Sequence, residues 1–149
     1  MRTNVQSTLR YLDSMVPKGS HVLLMGLPDG RILYDTMASL THPLGVTYRT
    51  LYDYLNCLSI SPCYVWLNSN SSVRDAGSER AAQLSEVLKQ EASVQNYSSF
   101  TIDYMDCPIE KALKKYSGPT SDLIEPVDGF HPAQKTMPLI AEVSRTLTL

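Results

Sequence analysis

Apolar residues recur near the start of the chain at spacings of four, three and four: Val5, Leu9, Leu12 and Val16. That rhythm predicts a helix from Arg2 to Val16 with one buried face, stopped by Pro17-Lys18-Gly19. The pattern then changes. His21 to Leu27 is an almost continuous apolar run between turn residues, which predicts a strand buried on both faces, as in a parallel sheet. Pro28-Asp29-Gly30 supplies a turn through a preset φ, a side chain that bonds its own backbone, and tolerance of positive φ. Arg31 to Tyr34 is expected to pack behind it, and Tyr48, Leu51, Tyr52, Leu55 and Leu58 trace a second helical face. A third helix, capped by Asp75 or Ser78, should bury Ala81, Leu84, Val87 and Leu88 and expose Glu79, Arg80, Gln83 and Glu86. Phe100 to Met105 alternates and is rich in strand formers. Pro108 suits the first turn of a short helix through Leu113, which Gly118-Pro119 ends. Pro132 is expected to open a last helix toward Leu147, with Leu139, Ile140 and Val143 inward and Pro138 kinking it or delaying its start.

Helices alternating with apolar strands predict an α/β layered fold with a parallel sheet. Two strands bury too little on their own, so the chain reads as the back half of a larger sheet. An edge left open beside His21–Leu27 would promote self-association. The alternative is a mostly helical domain with a small sheet. Composition agrees with a globular chain: 149 residues suit one domain, and 43% are apolar and 19% charged. No repeat or linker divides it. The net charge of −2 gives no basic surplus, so no nucleic-acid partner is expected. No run approaches the roughly 20 apolar residues of a transmembrane helix, and Met1-Arg2-Thr3-Asn4 does not open a signal peptide.

The chemistry concentrates in Glu125-Pro126-Val127-Asp128-Gly129-Phe130-His131-Pro132. An Asp three residues before a His lets the carboxylate orient the imidazole through Nδ1–H and leaves the far nitrogen as a general base. Gly129 permits the sharp path between them, so the carboxylate should reach the ring. Taken alone, the same residues also suit an Asp that caps the last helix and a His in a surface niche. Three cysteines allow at most one internal bridge. A Cys57–Cys63 disulfide across Ser61-Pro62 suits a secreted or lysosomal enzyme, and two buried thiols suit a cytosolic one. Cys107 reads either as a buried structural thiol or as a nucleophile beside His131. The three cysteines with His21 or His42 lack zinc-ligand spacing, so no metal is expected. His42 reads as a solvated loop residue, Asp29 as part of the turn, and Tyr48, Tyr52, Tyr54 and Tyr64 as packing. Asn70-Ser71-Ser72 and Asn96-Tyr97-Ser98 fit the glycosylation sequon.

Asp128-Gly129-Phe130-His131-Pro132, near the C-terminus after a strand–helix unit, resembles the last block of the SGNH (GDSL-type) hydrolases, which supplies that family's catalytic Asp and His. Four collinear blocks narrow the resemblance to the acyloxyacyl hydrolase lipases, which remove secondary acyl chains from lipopolysaccharide. They are residues 18–30, Leu55-Asn56-Cys57-Leu58 with Ser61-Pro62-Cys63, residues 78–85, and residues 123–132. The resemblance implies a three-layer α/β/α fold, with His131 as general base and acid and Asp128 as its orienter. It implies a lipid A or phospholipid acyl ester as substrate, no cofactor, and a secreted, lysosomal or vesicular parent protein. The departures are equally specific. The family's Gly-Asp-Ser nucleophile, oxyanion Gly and Gly-x-Asn-Asp blocks do not occur in these residues, nor does a Gly-x-Ser-x-Gly elbow. Residues 1–149 therefore read as the C-terminal part of one catalytic domain, without the nucleophile half or the saposin-like segment. By itself such a chain is expected to lack esterase activity. The second reading is a non-catalytic module that binds a lipid or a partner domain.

Overall fold

The helical periodicity of the first residues is realised as α1 (Arg2–Met15), whose Leu9 is buried and whose Val5, Leu12 and the following Val16 are half-buried. The computed structural model describes residues 1–94 and 96–145. After α1 come β1 (Ser20–Met25), α2 (Arg31–Met37), α3 (Tyr48–Cys57), α4 (Ser71–Val94), β2 (Phe100–Met105), α5 (Pro108–Lys115), a 3₁₀ turn at Thr120–Leu123, and α6 (Thr136–Arg145). The expected extension of the last helix to Leu147 lies outside the described residues. The fold is mixed helix and strand, with six helices and a two-stranded parallel sheet among the described residues.

The chain forms two compact units. The first comprises Met1–Leu27 and Arg80–Pro108. Strands β1 and β2 pair in parallel there, from Ser20 opposite Phe100 to Met25 opposite Met105. Asp13 of α1 fixes the start of β2: its carboxylate accepts the Ser99 N–H at 2.7 Å and the Ser98 hydroxyl at 3.2 Å. Glu91 is fully buried and is matched by Gln6 Nε2 at 3.0 Å and Arg2 Nε at 3.3 Å, so its charge is paired as burial requires. Beyond the sheet, Gly26 donates its N–H to Met105 O, and a Cβ there would lie 2.6 Å from the Tyr104 hydroxyl.

β1 departs from the expected strand buried on both faces. Val22 and Leu24 are half-buried, whereas His21, Leu23 and Met25 are exposed. The alternation of strand side chains puts the second set on the more exposed face. The third helix also begins earlier than expected. Asn70 caps α4 by accepting the Ser72 N–H at 3.0 Å, which leaves Asp75 and Ser78 inside the helix. The apolar face of Ala81, Leu84, Val87 and Leu88 is buried or half-buried as its spacing predicts.

The second unit comprises Pro28–Glu79 and Ile109–Leu149. Its core is Tyr34, Met37, Ala38, Tyr48, Tyr52, Leu67 and Ile124, with Leu33, Cys63 and Phe130 packed against it. Thr47 caps α3 through the Thr50 N–H. Pro132 does not open the last helix: it pairs with Ile124 in an isolated antiparallel bridge. Helix α6 starts four residues later, with Pro138 in its first turn, where a missing N–H costs nothing.

The exposed side chains of β1 have a measurable consequence. Leu23 and Met25 stand 36% and 52% exposed, and among the described residues β1 pairs with β2 alone. The 149-residue chain is expected to self-associate with rising concentration in size-exclusion chromatography with light scattering. Replacing both residues by Lys should return it to monomer, because charge on an edge strand opposes pairing.

Candidate active site

The site grows from one tight loop of the second unit, residues 124–132. The Ile124–Pro132 bridge closes its neck. Inside, Glu125 N–H donates to His131 O and Gly129 N–H to Glu125 O, each at 2.8 Å. The turn requires Gly129 at φ +72°, the left-handed region that glycine tolerates. A Cβ at Gly129 would also lie 2.6 Å from the Tyr52 hydroxyl and 2.8 Å from the Tyr48 ring.

Within this loop the Asp128 carboxylate meets three donors. One oxygen accepts the Phe130 N–H at 2.9 Å and the His131 N–H at 3.0 Å. The other lies 2.8 Å from His131 Nδ1. The expected contact between carboxylate and ring is thus formed, and the capping of backbone N–H groups comes with it. Partial burial pushes the Asp128 carboxyl up, but the backbone hydrogen bonds from Phe130 and His131, then the ring itself, outweigh it and hold the group below its ordinary value. An ionised carboxylate only accepts, so the Nδ1–H of His131 donates to it and Nε2 carries the lone pair. The His131 side chain is 63% exposed, open to a reacting group.

Three side chains from elsewhere in the unit hold the loop backbone. The Tyr48 hydroxyl donates to Pro126 O, the buried Tyr52 hydroxyl to Gly129 O at 2.7 Å, and His42 Nε2 to Val127 O at 2.8 Å. His42 is 5% exposed, contrary to the solvated position that its loop sequence suggests. Its Nδ1 accepts the Leu44 N–H at 3.0 Å, so the proton must reside on Nε2. Burial raises both tyrosine hydroxyls above their ordinary range, with Tyr48 and Asp128 adding to the effect on Tyr52, and Glu125 and Asp128 to that on Tyr48. Both therefore stay protonated donors. Sequence reasoning missed these roles. The only signal was the density of aromatic residues at 42, 48 and 52, which ordinary packing also explains.

His131 lines a cavity of about 770 Å³ with a mostly apolar wall that includes Ile32, Leu33, Trp66, Leu113, Ile124 and Phe130. The Pro28-Asp29-Gly30 turn forms part of it. Asp29 takes Arg31 Nε at 3.0 Å and the Ser78 hydroxyl at 2.6 Å, and Arg31 reaches on to Asp75 at 3.0 Å. The Arg31 hydrogen bond leads in holding the Asp29 carboxyl down at about 2. Asp29 is therefore a saturated ion-pair partner in this wall. Trp66 Nε1 donates to Ser78 at 3.2 Å, and its ring fills the space where a Cβ at Gly30 would sit.

Cys57 and Cys63 fit neither a bridge nor two buried thiols. They are not bridged. Cys57 is an exposed thiol at the end of α3, whereas Cys63 turns inward and packs on the core, so the two side chains serve opposite surroundings. Burial first, and then the charge of Asp128, pushes the Cys63 thiol up, the opposite of an activated nucleophile. Cys107 is a buried thiol of the first unit.

No family model matches the chain. Over 148 residues it is 44% identical to the human protein named acyloxyacyl hydrolase, covering 94% of this chain and 26% of that protein. The mouse protein of the same name is 44% identical over 140 residues, covering 89% of this chain and 24% of its own length. The rabbit protein is 42% identical over 147 residues, with shares of 93% and 26%. The family expected from the sequence blocks is the one these relatives carry. The chain spans about a quarter of the length of the curated relatives it matches.

Two outcomes test the loop. The Asp128 carboxyl is held down, so the stabilisation it contributes is complete above the ordinary aspartyl value and is lost as pH falls through the lowered one. The amide resonances of Phe130 and His131 should accordingly move together in the acid range, as pH falls below the ordinary aspartyl value. Gly129→Ala should lower the free energy of unfolding in urea by about 1–2 kcal/mol for the left-handed backbone alone, and by more for the displaced tyrosine rings.

Proposed function

Since the chain is similar along nearly its whole length to a quarter of an acyloxyacyl hydrolase, we propose that it supplies the acid–base half of a serine-esterase centre. The observation that carries this reading is the 2.8 Å contact between the Asp128 carboxylate and His131 Nδ1, with the ring exposed and lining an apolar cavity. The nucleophilic serine belongs to residues outside these 149, in the parent protein's other three quarters. His131 Nε2 takes the serine proton as the serine oxygen attacks the ester carbonyl carbon. The tetrahedral intermediate collapses to an acyl-enzyme, and the leaving alkoxide takes the proton from Nε2. Water then repeats the two steps and releases the fatty acid. Asp128 holds the ring and balances the imidazolium charge. No cofactor or metal enters this scheme.

The relatives' name denotes cleavage of a fatty acyl group esterified to the hydroxyl of another acyl chain. The proposed substrate here is that ester in lipid A, or the glycerol-linked acyl ester of a phospholipid. We read the parallel β1–β2 pair as part of a larger three-layer sheet to which the parent protein adds strands. No described helix is long and apolar enough to cross a membrane. Asn70 and Asn96 are exposed at their sequons, which supports a parent that is secreted, lysosomal or vesicular. The cavity also supports a second reading, in which the chain holds an acyl chain without cleaving it.

The decisive experiment replaces the corresponding quarter of human acyloxyacyl hydrolase with this chain and measures fatty-acid release from lipopolysaccharide. The chimera should be active, and His131→Ala should lower kcat/KM by about 100- to 10,000-fold. The 149-residue chain alone should not hydrolyse a short-chain nitrophenyl ester. A chimera indifferent to His131→Ala would overturn the assignment. A folded, inactive chimera that still binds lipid would favour the second reading.

A further inference from the structure

Five backbone carbonyls of the 125–131 loop are taken by two sets of donors. Glu125 O and His131 O are satisfied within the loop, by Gly129 N–H and Glu125 N–H. Pro126 O, Val127 O and Gly129 O are satisfied from outside, by Tyr48, His42 and Tyr52. These three carbonyls flank Asp128 on both sides, and their donors come from positions 77 to 85 residues away in sequence. Each donor is itself fixed. Tyr48 and Tyr52 are buried in the core on α3, and the Tyr48 ring meets His42 edge-on at 5.1 Å. His42 sits in a turn tied by its own N–H to Val46 O and by Gly45 N–H to its carbonyl, and Leu44 N–H sets its tautomer.

We propose that His42, Tyr48 and Tyr52 are positioning residues, which hold the 126–129 backbone so that Asp128 keeps the His131 proton on Nδ1 and the lone pair on Nε2. The proposal rests on the reading of His131 as the base. It extends that reading, because the Asp128 side chain can reach the ring and the two N–H groups together only while its own backbone stays in place. A displacement of about 1 Å at a reacting group can cost roughly 100-fold in rate, and a loop with three unpinned carbonyls has that freedom.

The tautomer of His131 reports this geometry directly, and a general loss of stability does not move it. The 149-residue chain, labelled with ¹⁵N-histidine, is examined by NMR at about pH 8, above the ordinary imidazole value; His131→Gln assigns the signal. The wild type should show mainly the Nδ1–H form. Asp128→Ala should return it to the Nε2–H form that free imidazole side chains favour in water. Tyr48→Phe, Tyr52→Phe and His42→Leu should each lower the ratio of Nδ1–H to Nε2–H at least threefold, and His42→Gln, which keeps an N–H donor, should restore it. In the chimeric hydrolase the same losses should appear as a 10- to 100-fold fall in kcat with KM within twofold. If Asp128→Ala leaves the tautomer unchanged, the pairing itself is wrong and the proposal falls with it. If Asp128→Ala moves it but the three variants only lower the melting temperature, these residues are structural and the proposal is overturned. Should Tyr52→Phe fail to fold, Tyr48→Phe and the His42 pair decide the matter by the same criterion.

Discussion

The Asp128 carboxylate is shared among two backbone N–H groups and one imidazole, and the site depends on that sharing. A lone Asp–His pair three residues apart has many arrangements. Once one carboxylate oxygen caps the turn, the other is left with one direction, and the ring must come to it. Loop shape and ring orientation are therefore one interaction. Hydrogen bonds to a charged group contribute about 1.5–3 kcal/mol each, enough to offset the partial burial that opposes the charge. The same bonds that fold the turn keep the acid ionised, and the ionised acid selects the tautomer.

Around this turn the second unit behaves as a support. Its core is aromatic where an aliphatic core would fill space equally well, and the difference lies in the polar ends. Tyr48 and Tyr52 bury their rings and deliver their hydroxyls to loop carbonyls, so one side chain contributes both packing and a backbone partner. Buried carbonyls need partners, and a loop that bends back on itself has few of its own. Cys63 fits the same design as a small apolar filler whose thiol stays protonated. In the cavity wall, Asp29 is held by Arg31 and by the Ser78 hydroxyl, and Arg31 reaches on to Asp75, so the Asp29 charge faces donors rather than the apolar lining.

The sequence carried what depends on neighbours in the chain. Helix α1 follows from four apolar residues, β2 from alternation, and the contact between Asp128 and His131 from a three-residue spacing with a glycine inside it. Pro138 delayed the last helix for a local reason. What the sequence hid depends on distant residues. His42 sits in a segment that reads as a polar turn, and only Val127, 85 residues on, makes it a buried donor. Position 70 beats 75 and 78 as the cap of α4 because Asn70 reaches the Ser72 N–H, while Ser78 is drawn to Asp29 and Trp66. The expected Cys57–Cys63 bridge came from proximity in sequence, but the core claims one thiol and solvent the other. The run from His21 to Leu27 promised burial on both faces, but apolar character does not say how many strands are present to provide it.

The pairing of β1 with β2 joins positions 80 residues apart, Ser20 with Phe100. Closing so long a loop is thermodynamically mild, since each doubling of length adds only about 0.6 kcal/mol. In time it is demanding. Helices and short turns form within about microseconds, whereas distant strands must wait for a diffusive search that local contacts do not guide. During that wait the edge of β1 that β2 will take stays open beside Val22, Leu23, Leu24 and Met25. Strand β1 leaves the ribosome 80 residues before β2, so over that stretch of synthesis it waits for this partner.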